Sequence, residues 1–248
     1  MLRLTWILCV SCLLSGYLLL EQATGSGAVA LQGAAQTPSS QDIMGASAFE
    51  AELDRKAPQW LRQYDVPSVA VAYIEDGKVA WTKVYGQQSP GVPATSKTLY
   101  NVASLTKPIS AEVILRLASA GKLSLDEQIS NVWVDPDVKE NPWNRLLTPR
   151  LCLSHQTGFP NWRDQAKGGL KFQWEPGTKT GYSGEGYDYV ARFAEKKLGR
   201  SFETLAQEYV FDQIGMKDTA YSPRDWFAGR LAVARGPNGE NQPATQST

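Results

Sequence analysis

With one histidine, three cysteines and no net charge, this 248-residue chain has few routes to chemistry. His155 is the single histidine, and Cys9 and Cys12 lie in a mostly apolar leader, so Cys152 is the one cysteine of the remainder. A zinc site of histidine and cysteine ligands needs more donors than these two residues offer. A lone cysteine behind the leader also excludes an intrachain disulfide. Lys and Arg total 25, as do Asp and Glu, and no long basic run stands out. That balance argues against a nucleic-acid partner. Nothing in the sequence calls for a cofactor. Any hydrolytic chemistry must then be metal-free or carboxylate-based.

Residues 4–20 form a mostly apolar run behind Arg3. The run is short for a membrane span and long for a secretory core. Ala23, Thr24 and Gly25 supply small residues where a signal peptidase could cut. Residues 1–25 therefore read as an export signal, with an uncleaved membrane tether through residues 4–20 as the alternative. Either places the protein in the periplasm or outside the cell. Residues 26–46, rich in Gly, Ala, Ser, Gln and Thr, read as a flexible linker. The folded domain is expected over 47–248.

Within that domain, Ser47 and Glu50 have the spacing of a capping box. Phe49, Leu53, Ala57, Trp60, Leu61 and Tyr64 then make a helical stripe. Two β-rich runs flank Asp76-Gly77, a strong hairpin signal. The first run is apolar on both faces, as suits a central strand. Ser124 and Glu127 are expected to cap a short helix. Helices are also expected before Gly199, a C-cap candidate, and from Ser201 to the Gly215 region. Residues 229–248 are polar and hold no convincing strand. One hairpin is too little sheet, so the chain reads as C-terminally incomplete.

Ser104 and Lys107 carry the first chemical signal. Ile109, Val113, Ile114 and Leu117 follow at helical spacing, so a helix begins at or just after Ser104. Residues three apart share a helix face. A hydroxyl nucleophile needs such a neighbour to take its proton or steady the alkoxide. Serine is also a favoured N-cap, and that reading stays open. Ser119 and Lys122 repeat the spacing at the far end of the helix, where no amino-terminal dipole helps. Tyr182, in a glycine-rich loop before a helix, is the second candidate. Near a lysine it could serve as a general base, and otherwise it is a surface aromatic.

Four motifs in order resemble one family. Ser104-x-x-Lys107 is similar to its nucleophile tetrad, and residues 151–160 to its Thr/Ser-His-x-Ser-Gly-Leu-Pro segment. Residues 176–187 resemble its Pro-Gly…Tyr-Ser-Asn-x-Gly-Tyr loop, and residues 214–219 its Leu-Gly-Met-x-x-Thr signature. The family is the serine β-lactamase-like hydrolases: class C β-lactamases, related esterases and D-Ala-D-Ala peptidases. The resemblance implies an α/β (α+β) fold, an antiparallel sheet flanked by helices beside a helical subdomain. It implies Ser104 as nucleophile, Lys107 as its activator and Tyr182 as proton shuttle. Gly184 stands at a substrate-binding position where many relatives have asparagine, and there the side-chain amide is lost. Pro108 is expected to bias Lys107 away from helical geometry. A late Lys-Thr-Gly strand is missing, because Lys179-Thr180-Gly181 abuts Tyr182 and is a decoy. His155 falls in a segment the family uses structurally, the role expected here. Trp162, Trp174 and Tyr221 are expected in the core more than in a pocket.

The implied activity is an exported serine hydrolase acting through an acyl-enzyme on a small-molecule or peptide substrate. A β-lactam, a D-amino peptide and an ester all fit. The alternative is an inactive peptidoglycan-peptide-binding domain of the same fold.

Overall fold

The computed structural model describes residues 45–166, 168–236 and 239–242. The expected leader (1–25) and nearly all of the linker (26–46) lie outside the described residues. The described residues divide into two units, one of residues within 45–98 and 230–242, the other within 99–229.

In the first unit, helix α1 (Ala46–Gln63) buries Leu53 and Ala57. Leu61 continues that line four residues on, whereas Trp60 and Tyr64 sit one residue off it and are exposed. The expected capping box does not form, because the helix already begins at Ala46 with Gly45 as N-cap. That start puts Ser47 inside the first turn.

Strands β1 (Ser68–Glu75) and β2 (Lys78–Ser89) pair antiparallel, from Ser68 opposite Gly86 to Glu75 opposite Lys78. Asp76 and Gly77, both at positive φ (49° and 75°), make the tight turn the sequence calls for. Phe49 on α1 joins Tyr73 and Trp81 in an aromatic cluster with ring separations of 5.2–5.7 Å. Gly86 is obligatory at φ 87°, since a Cβ there would stand 2.1 Å from Pro67 O.

The short β3 (Val92–Pro93) pairs with β2, so among the described residues the sheet order is β1-β2-β3. Among these, β1 lies at the edge and β2 in the centre. Two-residue strands β4 (Ala234–Arg235) and β5 (Asn241–Gln242) also pair, where no strand was expected. Arg235 donates to Asp65 at 2.9 Å, and Val233 N to Gln88 O at 2.6 Å, tying that segment to the first unit.

The second unit is helical. A 3₁₀ turn (Ala103–Leu105) feeds α2 (Thr106–Ser119). After it come α3 (Pro149–Leu153), capped by Thr148, and α4 (Gly184–Leu198), capped by Ser183. Gly199 closes α4 in the left-handed conformation, as expected. Helix α5 (Phe202–Ala206) passes through a π-helical turn (Gln207–Phe211) into α6 (Asp212–Ile214), closed by left-handed Gly215. Val113, Ile114 and Leu117 of α2 pack with Val190 and Phe193 of α4 and with Leu205, Val210 and Phe211. All are essentially without solvent exposure. Burying side chains of this size stabilises by about 1.5–3 kcal/mol each.

Ser124 and Glu127 bond as a capping pair, Glu127 Oε1 accepting from Ser124 N at 2.7 Å, but they close a turn. Gln128 is extended (φ −70°, ψ 119°) and stops any helix, so the expected short helix gives way to a 3₁₀ turn at Ile129–Asn131. The whole is helices plus an antiparallel sheet, the expected α/β class.

Candidate active site

Ser104 stands in the 3₁₀ turn that opens onto α2, exposed to solvent. The residue before it, Ala103, is held at φ 43°, a region that L-residues other than Asn and Asp seldom occupy. Asn101 Oδ1 accepts from Ala103 N at 2.8 Å and helps to hold that bend. Backbone held this way at a turn presents one side chain at a fixed angle.

Lys107, the second residue of α2, donates from Nζ to Ser104 Oγ at 3.2 Å. Pro108 is the third residue of that helix, where an N–H would have no intrahelical partner. Lys107 therefore keeps its place in the helix, contrary to the expected distortion. Ser119, the same spacing from Lys122, ends α2 instead, with Gly121 at φ 67° beyond it.

The loop ahead of α4 brings Tyr182 to the same place. Lys107 Nζ lies 4.7 Å from its ring centroid, which brings the ammonium and Ser104 against the phenol. Burial pushes the phenol pKa up. The neighbouring Lys107 and Ser104 outweigh that, leaving Tyr182 below the ordinary tyrosine value.

His155 fixes this tyrosine. Gly181 N donates to His155 O at 2.8 Å and Ser183 N to His155 Nδ1 at 3.1 Å, so the residues on either side of Tyr182 are both bound to it. The imidazole also packs on the Tyr182 ring at 4.6 Å. Because Nδ1 accepts a hydrogen bond, the ring is neutral. Its pKa is lowered by burial first and by the Lys107 charge second. Sequence reasoning placed His155 in a structural segment, but its grip on Tyr182 went unread.

Gly184, the first residue of α4, is buried, and its N–H donates to Asn161 O at 3.0 Å and to Asn161 Oδ1 at 2.9 Å. Trp162 covers it: a Cβ at 184 would lie 2.5 Å from Trp162 Cη2. Trp162 itself is 43% exposed and its ring centroid is 5.7 Å from Lys107 Nζ, so it is a site residue and no part of the core. The loss of a side chain at 184 was the signal that a bulky neighbour had taken the space. Tyr221 does lie in the interior, against Phe202 and Phe211, with its hydroxyl 2.9 Å from Ser110 Oγ. Trp174 packs over Gly181, where a Cβ would meet its ring at 2.5 Å.

Next to Trp162, Arg163 grips Glu185 with Nε at 3.1 Å and Nη2 at 2.8 Å, and pairs with Asp135 at 3.1 Å. Glu185 sits in the first turn of α4, where the helix dipole favours a carboxylate. Cys152 is fully buried, and burial pushes its thiol well above the ordinary range, which removes it as a nucleophile.

A serine, a lysine and a tyrosine thus converge on one point. The beta-lactamase family model matches residues 46–248. The chain belongs to the beta-lactamase family. It is 26% identical over 205 residues to the Escherichia coli K12 protein named D-alanyl-D-alanine-carboxypeptidase/endopeptidase AmpH, covering 73% of this chain and 52% of that one. It is 23% identical over 202 residues to Protein flp of Staphylococcus aureus MW2, covering 74% and 41%. Among solved structures, D-alanine carboxypeptidase AmpC from Burkholderia cenocepacia superposes with TM-score 0.69 at 22% identity, covering 81% of this chain and 58% of that one. The chain spans about half the length of the curated relatives it matches.

In this beta-lactamase-family chain, Lys179, Thr180 and Gly181 lie in the loop ahead of α4 and not on a strand. The Gly181 N–H is already committed to His155 O, so this triplet supplies no oxyanion donor from that amide. Among the described residues no helix is long and apolar enough to cross a membrane.

Proposed function

We propose that this protein is an exported serine hydrolase that cleaves amide or ester bonds through an acyl-enzyme on Ser104. The observation that carries the proposal is the Ser104–Lys107–Tyr182 cluster: 3.2 Å from Lys107 Nζ to Ser104 Oγ, with the same Nζ 4.7 Å from the Tyr182 ring centroid. The beta-lactamase family membership, and the names of relatives such as AmpH, support a serine hydrolase.

In the proposed reaction Ser104 Oγ attacks the substrate carbonyl and its proton passes into the Lys107–Tyr182 pair. A base whose pKa is brought down toward the working pH is the more effective for that transfer. The lysine charge favours the phenolate form of Tyr182 and lies next to the alkoxide as it develops. When the tetrahedral intermediate collapses, the same proton goes to the leaving nitrogen or oxygen. Water then enters along the same path and releases the acid product.

The test is hydrolysis of a chromogenic ester by the wild-type chain and by Ser104→Ala. Turnover by wild type that is lost in the variant supports the proposal. Equal turnover by both would overturn it.

A further inference from the structure

Trp162 stands beside the proposed nucleophile's lysine, its ring centroid 5.7 Å from Lys107 Nζ, and its position is built, not incidental. Its two chain neighbours are both tied to the start of α4. Asn161 accepts from the Gly184 and Glu185 amides, and Arg163 N donates to Glu185 Oε1 at 2.9 Å while its guanidinium grips the same carboxylate. Glu185 is 5% exposed at its side chain, so this anchor is an ion pair with one partner deeply buried. With both flanks fixed, the indole lies against Gly184, 2.5–2.9 Å from where a Cβ would be. A side chain at 184 would oblige the indole at 162 to move from this position.

The consequence is chemical. Next to Lys107 this wall offers an aromatic face, and position 184 offers no amide, hydroxyl or charge. Val102, just ahead of the turn that holds Ser104, and Leu105, its last residue, are exposed apolar residues (51% and 44%). Together with the indole they put apolar surface close to the nucleophile, where an apolar group of a substrate could lie.

Resting on the serine hydrolase reading, we propose that Trp162 is a specificity-determining residue that selects substrates with an apolar, preferably aromatic, acyl group over those carrying a polar acylamido group. Gly184 is the residue that makes room for it, and the Arg163–Glu185 pair is what positions it. A stacked aromatic acyl group gains contact with the indole. A polar amide placed against the same face finds no partner from residue 184 and loses its water.

The test uses three p-nitrophenyl esters with one leaving group: acetate, phenylacetate and N-acetylglycinate. Wild type should favour phenylacetate over N-acetylglycinate in kcat/KM. In Trp162→Ala the phenylacetate-to-acetate ratio should fall about tenfold, and Trp162→Phe should restore most of it. The double variant Trp162→Ala/Gly184→Asn should raise the N-acetylglycinate-to-phenylacetate ratio above that of either single variant. Ratios unchanged across these variants, in proteins that a fluorophosphonate still labels at Ser104, would overturn the Trp162 assignment alone. A wild-type chain that neither labels at Ser104 nor cleaves any of the three esters would instead sink the hydrolase reading, and this inference with it.

Discussion

His155 holds Tyr182 by the backbone on both sides, accepting from Gly181 N with its carbonyl and from Ser183 N with Nδ1, while its ring packs on the phenol at 4.6 Å. A contact on each side of it leaves the tyrosine little freedom. Positioning of that kind matters, since misplacement by about 1 Å can cost on the order of 10²-fold in rate.

We therefore expect His155→Ala to slow the reaction at Ser104 by about 10–100-fold. As Tyr182 leaves Lys107, the pH profile of the remaining activity should move up toward that of an ordinary tyrosine. A purely structural histidine would change the thermal midpoint and leave the profile in place.

The histidine also gives folding a pH dependence. Its pKa in the folded protein is below the ordinary value of about 6.5. The unfolded chain then binds a proton before the folded chain does, so stability is full above about pH 6.5 and falls as pH drops from there toward the folded pKa. Denaturant titrations between pH 7.5 and 5 should show this loss in wild type and a flatter curve in His155→Gln.

Tyr182→Phe should lower turnover by about 10²–10⁴-fold with little change in folding. In wild type the rate should fall as pH drops through the Tyr182 pKa, which lies below the ordinary value because Lys107 and Ser104 favour the phenolate. Wild-type rates in Tyr182→Phe would return this residue to the role of a surface aromatic.

Glu185→Gln removes the buried carboxylate that Arg163 grips. Arg163 is partly exposed and keeps Asp135, so the cost should be about 2 kcal/mol and not that of a fully buried pair. A midpoint shift in urea with an unchanged slope would show it.

What the sequence made legible follows from the range of each interaction. Ser104 and Lys107 are one helical step apart, so periodicity alone brings them together. Asp76-Gly77, Gly199 and Gly215 act through their own backbone angles, and each punctuates the chain as expected. The capping pairs were misread for a local reason. Ser47 falls inside a helix that starts one residue earlier, and Ser124 closes a turn that Gln128 ends. The contacts that build the site around Tyr182 run between residues far apart in the chain. His155 to Ser183 and Trp162 to Gly184 join α4 to the segment after α3, and no repeat or spacing announces them. The π-helical turn at Gln207–Phe211 likewise left no mark in the apolar pattern of that helix.

The most direct measurement is intact-mass analysis of the chain after treatment with an alkyl fluorophosphonate. We expect a single adduct, mapped to Ser104, absent from Ser104→Ala and retained in Ser119→Ala. An adduct that survives Ser104→Ala, or a wild-type chain that takes up none, would contradict the assignment of Ser104 as the nucleophile.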